Sequence, residues 1–175
     1  MNEYDALSGY PEPSSPRKVS PKTRTIENRI IASYRGADFY DGHRNNGYGG
    51  YINDGRWISV AKKMINRYGL NQASSVLQIG CDKGFLIEAF HELLPKMKLC
   101  GTDVSEYAIN SSSSKIKKFL QIAPFTEIPF ADASFDLVVA IGPVYALNLG
   151  DAIKCLKEII RVSKGRSFIT LGAYE

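Results

Sequence analysis

The segment VLQIGCDKGFL, residues 76–86, drops from an apolar run through glycines and rises into a helical pattern. Glycines at a strand-to-helix turn let a ligand approach the backbone, and the helix N-terminus behind them offers unpaired N–H groups. Phosphate ligands fit this turn poorly. A dinucleotide fingerprint requires glycines at 80, 82 and 85, where the sequence has Gly80, Asp82 and Phe85. A carboxylate at 82 would repel a pyrophosphate, and no Gly-Lys-Ser/Thr follows, which excludes a P-loop.

The elements that must hold this turn are legible in the periodicity. Residues 76–79 read as a short buried strand, 85–94 as a helix that Pro95 ends, and 98–102 as a second strand. A helix capped by Ser105 is expected over 105–115, followed by strands at 119–122 and 135–141. A helix capped by Asp151 is expected over 151–162, and a last strand over 166–171. This alternation, with strands apolar on both faces, predicts an α/β fold: a doubly wound, mostly parallel sheet with helices on both faces. Right-handed crossovers put every strand C-terminus on one edge, where such sheets bind ligands.

Upstream, residues 1–21 are rich in Pro and Ser and read as a disordered leader. Residues 22–70 read as an N-terminal cap with a helix over 23–35, started by Thr23 or Thr25. Within the cap, 38–57 is a loop dense in Gly, Asn and aromatics, and 57–68 is a helix that Gly69 closes. Residues 71–175 form the cofactor-binding domain. The chain has 175 residues, 44% of them hydrophobic and 23% charged, enough for one folded domain with a real core. Cys81, Cys100 and Cys155 form no CxxC pair, which disfavours a zinc site or disulfide framework and makes the cytoplasm the expected location. No metal ligand set is expected. No apolar run reaches the roughly 20 residues that span a bilayer, so no membrane is expected. A formal charge of +4 is too mild to indicate nucleic acid.

The motifs in order resemble those of class I S-adenosylmethionine-dependent methyltransferases. VLQIGCDKGFL is similar to their first motif, and GTDVSEYAI, 101–109, to their second. IPFADASFDLVVAI, 128–141, resembles the stretch that leads into their fourth strand, and the following helix and strand match as well. The resemblance covers residues 38–175 and implies S-adenosyl-L-methionine as cofactor, with a Rossmann-like fold. By the same resemblance Gln78, Gly80, Cys81, Asp82 and Gly84 would border the cofactor's amino-acid end. Asp103 would accept the ribose hydroxyls, with Val104 beside it. Phe125 would face the adenine and Ile141 would lie beneath the methyl. Residues expected near the acceptor are His43, a candidate base in a polar loop, together with Tyr48, Tyr51, Arg56, Trp57 and Tyr145. His91, within the first crossover helix, reads as structural.

Three positions depart from the family pattern. Gln78 stands where relatives carry an acid, so the charge that would attract the cofactor's ammonium is lost and only an amide acceptor remains. Asp82 replaces a glycine and tolerates left-handed backbone better than most residues; its carboxylate can restore that charge. Pro124 stands where relatives carry Asp or Asn against the adenine, and it brings neither a side-chain partner nor an N–H. The sequence also ends before the family's usual last helix and strand hairpin, which leaves a sheet edge for a second copy or a partner chain to cover. Two readings follow: a methyltransferase acting on a small-molecule acceptor, or a catalytically degenerate relative serving as a binding or scaffold partner.

Overall fold

A computed structural model describes residues 5–7, 10, 20 and 23–171. Most of the expected disordered leader, 1–21, lies outside the described residues. Strands β1 (Ser75–Ile79), β2 (Lys98–Asp103), β3 (Leu120–Ile122), β4 (Leu137–Ala140) and β5 (Ser167–Ile169) form one sheet in the order β3-β2-β1-β4-β5. All four pairings are parallel. The α/β fold expected from the alternation is the one observed.

The apolar residues of β1 and β4 divide by the two-residue period of a strand. Val76, Leu137 and Val139 enter one core, which helices α3 (Trp57–Tyr68) and α4 (Phe85–Leu93) cover with Val60, Met64, Leu86 and Phe90. Leu77, Ile79, Val138 and Ala140 enter the other, where α6 (Leu149–Val162) contributes Cys155, Ile159 and Val162. Each large side chain fully buried in these layers contributes ~2 kcal/mol by removal from water. Gln78 shares the face of Val76, so an amide stands at the upper end of an otherwise apolar column.

The N-terminal elements are α1 (Ile26–Ser33) and the short α2 (Ala37–Tyr40). Thr25 caps α1, and Asn28 completes a reciprocal capping box. Helix α1 buries none of its residues; Ile26 and Ile30 are exposed. No helix among the described residues is long and apolar enough to cross a membrane.

Two expectations are corrected. Helix α5 spans only Glu106–Asn110 rather than 105–115, with Ser105 as its cap as expected. The serine run ends it: the Ser112 hydroxyl turns back onto the Ile109 carbonyl, offering the backbone an alternative to the helix. Helix α6 is capped by Asn148, not Asp151, because Asn148 Oδ1 accepts the Asp151 N–H and Asp151 already lies in the first turn.

Candidate functional site

In the order 3-2-1-4-5 the chain reverses direction across the sheet between β1 and β4, and a crevice opens beyond their C-terminal ends. A cavity of about 320 Å³ occupies it. Its floor is Gln78 and Gly80 from the end of β1, Asp82 from the following turn, and Ile141, Gly142 and Pro143 after β4. Its roof comes from the N-terminal elements: Leu7, Tyr10, Arg35, Phe39, Tyr48, Tyr51 and Trp57. Tyr145 and Ala146, on the short 3-10 turn Val144–Ala146, close one side.

Gln78 is 4% exposed, and its Oε1 atom has no hydrogen-bond partner. A buried carbonyl oxygen left unpaired costs roughly 1–3 kcal/mol, and Gln78 is one of the residues that line the cavity. An amide oxygen free to accept an N–H suits the ammonium of an amino-acid ligand.

The turn is built from positive φ angles: Gly80 at 71°, Asp82 at 50° and Gly84 at 79°. A Cβ on Gly80 would stand 2.9 Å from Pro143 Cγ, so this glycine lets the loop after β4 close onto the end of β1. Gly84 answers to the core. A Cβ there would lie 2.6 Å from Ile116 Cδ1 and 2.8 Å from Leu120 Cδ1. Gly84 does not line the cavity, and the space beside its Cα is filled by the core. Cys81 is buried as well, and burial pushes its thiol well above the usual range.

Asp82 carries the electrostatics. Tyr40 donates its hydroxyl to Asp82 Oδ1 at 2.7 Å, and Tyr48 donates to Oδ2 at 3.1 Å. Burial, followed by repulsion from Asp103, pushes the Asp82 carboxyl up to about 6, although the tyrosine hydroxyls and Arg35 oppose the shift. Burial, then the adjoining Asp82 charge, raises both tyrosines.

Asp103 is fully buried. Its Oδ2 accepts the Asp82 N–H and its Oδ1 the Ser105 N–H, each at 2.8 Å. Burial raises its carboxyl while those two N–H groups hold it down. It ties the first turn to the second and does not line the cavity. Val104 beside it is 42% exposed, whereas Phe125 is 5% exposed and packs in the core on the α6 face.

The cavity gathers Gln78, Gly80, Asp82, Ile141 and Tyr145 from among the expected site residues, with Tyr48, Tyr51 and Trp57 above them. His43 is not among them; it is exposed, and its Nδ1 accepts the Asn45 N–H within its own loop. Arg56 pairs with Asp54 at the surface. His91 sits edge-on to Phe119, away from the cavity.

Sequence reasoning did not single out Arg35, Tyr40 or Lys83. Arg35 has a φ of 46°, and its carbonyl accepts the Ser105 hydroxyl at 2.6 Å, which fixes its backbone at the cavity rim, with its guanidinium over the Phe39 ring. Lys83 is buried, and its ammonium donates to both carboxylate oxygens of Asp41 at 2.7 Å and to the Tyr51 carbonyl at 3.0 Å. The density of aromatics in 38–57 was the one local signal for this assembly.

Residues 76–165 match the profile of a family described as methyltransferase domain. The ubiquinone/menaquinone biosynthesis C-methyltransferase of Geobacter sp. strain M21 is 33% identical over 127 residues, covering 67% of this chain and 52% of that protein. The malonyl-[acyl-carrier protein] O-methyltransferase of Legionella pneumophila is 31% identical over 102 residues, covering 55% of this chain and 36% of that protein. The chain thus spans about half the length or less of these curated relatives. A solved structure of a proposed S-adenosyl-L-methionine-dependent methyltransferase from Methanococcus maripaludis matches 93% of this chain and 68% of its own, with a TM-score of 0.57 and 22% identity. That likeness shows a shared fold.

Proposed function

The chain belongs to the methyltransferase-domain family, and from that premise we propose that it is an S-adenosyl-L-methionine-dependent methyltransferase acting on a small-molecule acceptor. The observation that carries the proposal is the buried, unpartnered Gln78 Oε1 at the mouth of β1.

Bound there, the cofactor supplies a methyl group made electrophilic by its sulfonium. Gln78 Oε1 accepts from the ammonium, and the Asp82 carboxylate, one turn away in the same cavity, supplies the negative charge that Gln78 lacks. Arg35, the one cationic side chain lining the cavity among the described residues, suits a carboxylate. Asp103 sets the backbone of the turn through the Asp82 N–H, and the family resemblance implies that it and the exposed Val104 beside it would meet the nucleoside, whereas Phe125 stays in the core. Transfer is an in-line displacement in which positioning does much of the work. The aromatic roof and Ile141 would shield a bound methyl donor from water, with Tyr145 at one side of the cavity.

Six of the fifteen residues lining the cavity are aromatic, which suits an acceptor that presents an apolar face beside the cofactor. The two relatives above carry names for transfer to carbon and to oxygen, so the acceptor atom does not follow from kinship.

Titration calorimetry of the purified chain with S-adenosylmethionine and S-adenosylhomocysteine tests the proposal. Dissociation constants of about 1–100 μM are expected, within the range of working enzymes, and Gln78→Leu should weaken both roughly tenfold. Absence of binding by both ligands at millimolar concentration would overturn it.

A further inference from the structure

The turn that forms the cavity floor also holds the roof, through two adjacent side chains pointing to different partners. Asp82 takes the Tyr40 and Tyr48 hydroxyls, one on each carboxylate oxygen. Lys83 takes the Asp41 carboxylate and the Tyr51 carbonyl. Tyr107 of α5 donates to Asp41 Oδ2 at 2.6 Å and completes the second anchor. Between the anchors the Tyr48 ring stacks on both Tyr40 and Tyr51, and Tyr51 stacks on Phe85 of α4.

We propose that Asp82 and Lys83 are positioning residues that latch the aromatic segment 36–52 over the cavity, so that filling the site and closing the segment are one coupled event. The inference rests on the methyltransferase reading for the identity of the ligand, but not for the latch itself. The two anchors differ in kind. Lys83 and Asp41 are satisfied by each other whether or not a ligand is present. Asp82 is crowded by Asp103 of β2, by the buried Tyr40 and by the rings of Tyr48 and Tyr51. Arg35 is the counter-charge acting on it, and Cys81 and Lys83 flank it in the turn. A ligand cation entering beside it relieves the crowding and strengthens the charge that the two hydroxyls grip. The Asp82 side is therefore the ligand-sensitive half and the Lys83 side the permanent hinge.

Amide hydrogen exchange over 36–52, with and without S-adenosylhomocysteine, separates the two halves. Tyr48 N–H donates to the Phe39 carbonyl and Gly50 N–H to the Tyr40 carbonyl, and both report closure. In the wild type these amides should exchange roughly tenfold more slowly once the ligand is added. The double variant Tyr40→Phe/Tyr48→Phe should lose most of that slowing and bind the ligand roughly tenfold more weakly. Affinity in the wild type should fall as pH drops through about 6, where Asp82 takes up a proton. The double variant should move that midpoint upward, because two hydroxyl donors no longer stabilise the carboxylate. A merely structural role for the tyrosines would lower stability without moving the midpoint.

Wild-type protection together with a wild-type midpoint in the double variant would overturn the latch. Absence of ligand binding by the wild type would instead overturn the methyltransferase reading. The latch would then still be decided by exchange in the ligand-free chain, where the double variant should open 36–52 and Lys83→Met should open it further.

Discussion

Strands β1 and β4 carry an aspartate at each end of their shared seam, and the two ends are electrostatic opposites. At the N-terminal end Asp136 Oδ2 accepts both the N–H and the hydroxyl of Ser75, at 2.8 and 2.7 Å, while Lys164 donates to Oδ1 at 3.0 Å. The Ser75 hydrogen bonds first, then Lys164, hold the Asp136 carboxyl down to about 2. At the C-terminal end Asp82 is pushed up to about 6, Asp103 is raised beside it, and Gln78 keeps an unpaired oxygen. The same two strands thus end in a cluster arranged for stability at one side and in a cluster held away from its own optimum at the other. Strained ionisation gathered in a cleft is the pattern of a site whose missing partner is a ligand.

The strongest test of this contrast is a residue at the functional end that behaves like the structural one. Gly84→Val places a side chain at φ 79° and drives it into Ile116 and Leu120. It should cost roughly 3 kcal/mol in denaturant unfolding, with or without ligand. A small loss would mean that the space beside Gly84 is open.

Asp136→Ala strips the Ser75 N–H of its acceptor and should cost ~2 kcal/mol at pH 7. Because the folded carboxyl lies near 2 and the ordinary value is 3.8, its contribution is present above about pH 4 and lost as pH falls through about 2. The variant and the wild type should therefore converge in acid melts.

Asp82→Asn should act in the opposite direction. The folded state holds this proton up to about pH 6 and the unfolded chain only to about 3.8, so stability declines as pH rises between those values. Removing the charge should raise ligand-free stability at pH 8 by ~1 kcal/mol, the Tyr hydrogen bonds being partly kept by the amide. The same substitution should weaken cofactor binding. A variant both less stable and unchanged in affinity would erase the distinction between the two ends.

Much of this architecture can be read from sequence because it is local. The period-two columns of β1 and β4, the Gly69 cap and the glycine turn each follow from a few neighbouring residues. Misread features depend on what arrives from elsewhere. Nothing near Gly84 in sequence tells that Ile116 and Leu120 pack against its Cα. Asn148 and Asp151 are both good caps, and only the path of the chain after Val144–Ala146 selects the first. Asp82 is visible as a departure from a glycine, but its meaning comes from Tyr40 and Tyr48, which reach it from 42 and 34 positions away. His43 was attractive by residue type, yet its loop turns the ring to solvent.

Carboxylate NMR of the chain labelled at aspartate, titrated with and without S-adenosylhomocysteine, addresses the contrast between the two ends most directly. The account predicts one resonance near 2 that ignores the ligand, from Asp136, and one near 6 from the Asp82 and Asp103 pair that falls when ligand binds. An Asp82 resonance titrating at the ordinary value of 3.8, or one near 6 that stays unmoved by bound ligand, would contradict it.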